Sequence, residues 1–93
     1  MGFLPIPAAM LFKDFSFEVL EYTVLDGNIT VGTYCGLYGS DENGRHISFL
    51  MSDQPQISVG NTLRTSDGLE SFTIRKISYD RYNGKAELLK AYY

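Results

Sequence analysis

Cys35 and His46 are the only thiol and the only imidazole in a chain of 93 residues. They would serve as a nucleophile and its base if sulfur and ring nitrogen came within about 3 Å. Both lie on a segment that reads as a hairpin around Asp41-Glu42-Asn43-Gly44. A two-residue turn at Asn43-Gly44 sets His46 opposite Asp41 and leaves Cys35 roughly 20 Å away along the ladder. A four-residue loop over Asp41–Gly44 sets His46 opposite Gly39, still roughly 13 Å from Cys35. Neither register makes a dyad. Cys35 is expected as a small buried hydrophobe, and His46 as an exposed residue beside the turn.

Other chemistries fare no better. One His, one Cys and dispersed carboxylates give no zinc or calcium spacing; Asp41-Glu42-Asn43-Gly44 lacks the alternating ligands and terminal Glu of a calcium loop. Every glycine belongs to a turn or an interrupted strand, so none builds a phosphate cradle. The chain is expected to be a non-enzymatic protein with no cofactor and no metal. A small enzyme would need an apolar pocket with convergent polar groups.

The formal net charge of −3 disfavours binding through many phosphate contacts. The charge is uneven, however. Residues 61–93 hold Arg64, Arg75, Lys76, Arg81, Lys85 and Lys90, whereas residues 1–60 hold only Lys13 and Arg45. Those C-terminal cations, with Tyr79 and Tyr82 as stacking groups, form the alternative reading of a nucleic-acid binder.

The elements that would position these residues are strands. Seven Tyr, six Phe, no Trp and nine Gly accompany an apolar fraction of 44%, a β-prone composition for one globular domain. Turn signals at Asp26-Gly27-Asn28, Asp41–Gly44, Ser66-Asp67-Gly68 and Tyr82-Asn83-Gly84 separate runs at Phe15–Leu25, Ile29–Tyr38, Arg45–Met51, Thr62–Thr65, Ser71–Tyr79 and Lys85–Tyr92. About six strands in a small antiparallel meander, forming a barrel or a strongly bent sheet with little or no helix, give an all-β fold. Alternation in Phe15–Leu25 switches face near Val19-Leu20, which predicts a bulge or a bend. Gly32, Gly36 and Gly39 mark curvature or the close approach of other groups. Ser52–Gly60, with Pro55, reads as a surface crossover.

The last hairpin has two registers. A two-residue Asn83-Gly84 turn sets Asp80 opposite Glu87, a like-charge pair. A four-residue loop, Arg81–Gly84, sets Asp80 opposite Lys85 and Ile77 opposite Leu88, and is preferred. Leu88-Leu89 and Ala91-Tyr92-Tyr93 put apolar groups on both faces of this last strand. One face enters the core; the other meets the N-terminal segment, the loop around Pro55 or a second chain. Read as an exposed edge strand, it is a template for strand addition. The candidate partner contacts are Arg81, Tyr82, Leu89, Tyr92 and Tyr93, and self-association or a protein partner is favoured over nucleic acid.

Ile57-Ser58-Val59-Gly60-Asn61-Thr62-Leu63, followed by Phe72-Thr73-Ile74-Arg75-Lys76-Ile77, has a cadence that resembles small SH3-like barrels, including phage and mobile-element proteins. The resemblance covers about the last third of the chain and implies an SH3-like barrel in a bacterial or phage accessory protein. It carries no functional residues across, and the Trp of a peptide-binding SH3 groove is absent.

Residues 1–10 read as an N-terminal arm appended to a single β domain over 11–93, with one possible helical turn at Ala8–Asp14. MGFLPIPAAMLF has no basic start and two prolines, so it reads as neither a signal peptide nor a membrane span. A lone cysteine provides no internal disulfide and points to a reducing, cytoplasmic setting.

Overall fold

The computed structural model describes residues 2–93. The all-β expectation is what the chain adopts: strands β1 (Gly2–Phe3), β2 (Leu20–Asp26), β3 (Ile29–Asp41), β4 (Gly44–Leu50), β5 (Thr62–Thr65), β6 (Ser71–Thr73), β7 (Lys76–Tyr82) and β8 (Lys85–Tyr92), with one helix, α1 (Ala8–Asp14). They form one sheet in the order β1-β7-β8-β4-β3-β2-β5-β6. Every pairing is antiparallel except β1 with β7. No ladder joins β1 to β6 among the described residues, so the sheet is unclosed. The chain itself still bends the sheet back, because β6 pairs with β5 and, two residues later, β7 pairs with β8.

Neighbouring strands in sequence pair through β2, β3 and β4. The Ser52–Gly60 crossover then breaks the series: β5 returns to β2, and β4 takes β8 as its other neighbour. β8 is therefore an interior strand with a ladder on each side. The edge strand expected at the C-terminus is corrected by this pairing, since residues 88–92 have a ladder on both sides.

The main core lies inside the bend and comprises Tyr22, Val24, Ile47, Phe49, Ile57, Leu63, Ile74, Leu89 and Ala91. Tyr22 and Tyr34 both meet the Phe49 ring edge-on, with centroids 5.9 and 6.4 Å away. Gly36 is small for a packing reason. A Cβ there would lie 2.5 Å from Ile47 Cγ2 and 2.9 Å from Phe49 Cε1, distances that only a repacked core could accept.

Residues 15–19 do not extend β2. Phe15 N–H donates to the Leu11 carbonyl, and Glu18 and Val19 N–H donate to the Phe15 and Ser16 carbonyls, which makes a short 3-10 turn after α1. The face switch expected at Val19-Leu20 falls where the turn ends and the strand starts. Alternation over so few residues fits a turn equally well. α1 sets Ala8 and Phe12 one above the other, the i, i+4 spacing of a helix stripe. These two bury against Leu88, with Leu4, Leu11, Val19, Leu37 and Leu50 around them. Of the three covers open to the second face of β8, the chain uses its own N-terminal segment. No helix among the described residues is long and apolar enough to cross a membrane.

Candidate binding edge

The β7–β8 turn decides how the surface is laid out. Tyr82 pairs with Lys85 and Arg81 with Ala86, so the turn is the two-residue one, with Asn83 at φ 52° and Gly84 at φ 78°. The preferred four-residue loop is corrected. The like-charge clash that argued against the short turn is removed by a bulge: past it Asp80 pairs with Leu88, which leaves Glu87 without an opposite residue. Glu87 then turns to α1, where its Oε1 accepts the Ala8 N–H at 2.9 Å. One irregularity thus separates two carboxylates and ties the helix to the sheet.

On the same outer face as Leu88, the strands bring charged groups together. Asp41 Oδ2 accepts from Tyr92 OH at 2.6 Å and from Lys90 Nζ at 3.1 Å, and Asp41 Oδ1 accepts the Asn43 N–H at 2.8 Å. Lys90 Nζ also lies 3.2 Å from Asp80 Oδ1. Asp80 Oδ1 has no other donor among the described residues. Arg75 and Lys76 approach the Tyr92 ring at 5.8 and 5.7 Å.

His46 sits in this cluster, opposite Gly39 and Tyr92. The four-residue register over Asp41–Gly44 is therefore the one adopted. Its expected exposure is corrected, since only 8% of His46 is accessible. Cys35 is corrected in the opposite sense: it is exposed on β3, opposite Glu21. Gly39 explains the burial of His46, because a Cβ at that position would lie 2.8 Å from His46 Nε2. His46 Nδ1 has no hydrogen-bond partner and stands 3.9 Å from Asp41 Oδ2.

The groups of the cluster set one another's charge. The Tyr92 hydroxyl, helped by the Asn43 N–H and Lys90, holds the Asp41 carboxyl well below its usual range although burial opposes it. Burial works against the Lys90 charge, but Asp41 and its other partners raise its pKa on balance, so it stays an ammonium. Burial, then the Lys90 charge, depress the His46 imidazole, while Asp41 opposes. A group whose folded pKa is depressed stabilises the fold above its unfolded value and loses that contribution as pH falls. Stability is therefore expected to drop as pH falls below the ordinary His value of 6.5, before the Asp41 loss sets in below 3.8. Urea midpoints measured between neutral and mildly acidic pH check this, with His46→Gln expected to flatten the slope.

Among the described residues no group of three or more His, Cys, Asp or Glu side chains could hold a metal ion. The sequence-predicted contacts divide between core and surface. Leu89 and Tyr92 are buried; Tyr93 is half-buried, stacked on Phe72 at 4.1 Å under Arg45. Arg81 is exposed and Tyr82 half-buried at the β7–β8 turn. No family model, no curated protein and no solved structure matches this chain.

The exposed part of the hairpin is β7. β1 runs beside it only at Gly2↔Asp80 and Phe3↔Arg81, continued by the Leu4 N–H to the Arg81 carbonyl at 2.8 Å. Lys76–Tyr79 has β8 on one side and, among the described residues, no strand on the other. Phe3 is 68% exposed in register with Arg81, and Tyr79, two residues earlier on β7, is 46% exposed. The open stretch was not legible in the sequence, because β8 looked like the terminal edge. Arg81 alone carries over from the predicted contacts into this surface.

The basic residues of the nucleic-acid alternative do not share one stripe. Lys90 is engaged with Asp41 and Asp80. Arg75 donates to the Asn43 and Tyr93 carbonyls. Arg64 lies on β5, paired with β2 and β6.

Proposed function

We propose that this chain is a non-enzymatic binding module that takes an extended segment of a protein partner along the open edge of β7. The observation that carries the reading is the run Lys76–Tyr79, a backbone edge without a neighbouring strand among the described residues, beside the exposed Phe3, Tyr79 and Arg81. Unpaired edge amides and carbonyls supply affinity in strand addition, and adjoining side chains supply specificity. Aromatic and Arg side chains are the types that dominate binding energies at such surfaces. The titratable groups clustered elsewhere are committed to one another. The SH3-like cadence, with its phage and mobile-element associations, and the cytoplasmic setting inferred from the lone Cys35 accord with a small adaptor.

The test is an affinity capture from lysate with the wild type, and with Tyr79→Ser combined with Arg81→Ser, both exposed positions. The expected result is a partner retained by the wild type and lost by the variant at unchanged melting temperature. Equal capture by both would remove the edge from the reading. Light scattering on the same samples separates a second copy from a different partner: a dimer dispersed by the double variant is the homo-oligomeric form.

A further inference from the structure

Resting on that reading, we infer that the segment accepted by the β7 edge is acidic. The cations at the two ends of the open edge carry this inference. Lys76 begins β7 and is exposed, and Arg81 follows Tyr79 by two residues and is also exposed. Neither forms an ion pair among the described residues. Asp80, the carboxylate between them, is buried and faces Lys90. The edge is thus locally positive on a chain of net charge −3.

Geometry fixes how such a segment would lie. Its paired part is limited to Lys76–Tyr79, about 13 Å of strand, because Gly2 and Phe3 occupy the edge from Asp80 onward. One side chain of the added strand falls beside Lys76. At the other end the segment leaves the ladder where Gly2 pairs with Asp80, and its next side chains pass over Phe3 and Tyr79 toward Arg81. The chemistry that fits is an acidic residue at each end of a short β-prone apolar run. Exposed Lys on an edge is also a common device for keeping other strands away, and that role predicts no binding by any segment.

The two roles are separable on the intact, isotope-labelled chain. The probes are three short blocked peptides with a Val-Thr-Val centre, flanked on both sides by Glu, by Gln or by Lys. The Glu peptide is expected to shift the Ile77, Ser78 and Tyr79 amide signals, with affinity weakened about tenfold by raised salt. Lys76→Glu with Arg81→Glu is expected to invert the preference toward the Lys peptide. Both positions are exposed, and an unchanged melting temperature confirms the fold of the variant.

If all three peptides shift those amides equally, the acidic inference is wrong, and strand addition itself stands. If no peptide shifts them, the inference is overturned and Lys76 is a strand-repelling residue. The binding reading is then judged separately, by whether the captured partner still depends on Tyr79 and Arg81.

Discussion

Replacing Lys90 with Met is expected to destabilise the fold by about 3 kcal/mol at neutral pH, at the lower end of the cost of orphaning a buried ion. Lys90 stands between Asp41 Oδ2 and Asp80 Oδ1 at 3.1 and 3.2 Å. The two carboxylates differ in what remains after the change. Asp41 keeps the Tyr92 hydroxyl and the Asn43 N–H, and its side chain is 29% exposed. Asp80 keeps much less: its side chain is 12% exposed and Oδ1 has no donor besides Lys90 among the described residues. The cost therefore comes mainly from Asp80.

This assignment has a signature that ordinary loss of packing would lack. With Lys90 gone, the Asp80 carboxylate would stay buried with no cation beside it. Removing that carboxylate's charge should then remove most of the deficit. Lys90→Met combined with Asp80→Asn should recover much of the stability at neutral pH. Urea denaturation of the four proteins of this cycle at neutral pH checks this. A deficit not rescued by Asp80→Asn would place the cost in the lysine stem's packing. The same variant should bring the His46 titration back toward its ordinary range, because the Lys90 charge is one of its two depressing causes.

How far the sequence could be read depends on the range of each interaction. Local turn chemistry was legible: Asp26-Gly27, Asp41–Gly44 and Asn83-Gly84 all form the expected hairpin turns. The close approach at Gly36 and Gly39 was legible as well. The register of the last hairpin was not, because rejecting the Asp80–Glu87 clash presumed a regular ladder. The bulge that resolves it becomes useful only once α1 is in place to receive Glu87. The exposures of His46 and Cys35 were reversed for a related reason. Whether an outward-facing residue is buried depends on what packs over that face, here Tyr92 on a strand 46 residues away in sequence. The β4–β8 pairing likewise has no local signal, and on it turned the identity of the free edge. The candidate surface thus emerged from long-range topology, with Arg81 and Tyr79 the parts that sequence had drawn attention to.

Phe12→Ala is expected to cost about 3 kcal/mol, and in a domain of this size to lower the melting temperature by more than 10 °C. Phe12 is 8% exposed, and with Ala8 it covers Leu88, itself 2% exposed. β8 carries Leu89 and Ala91 into the main core on its other face, so any loosening of α1 wets one side of an interior strand. Two further ties hold the same segment: Glu87 Oε1 on the Ala8 N–H, and the Leu4 N–H on the Arg81 carbonyl. The second of these continues the β1–β7 pairing that ends the open stretch of β7 at Tyr79. Phe12→Ala should therefore also speed amide exchange at Leu4 and Arg81, lengthening the free edge as α1 loosens. Hydrogen exchange reads this directly. Protection unchanged at those amides, with stability near wild type, would make residues 1–14 an ornament on the β domain and leave the second face of β8 to be covered by something else.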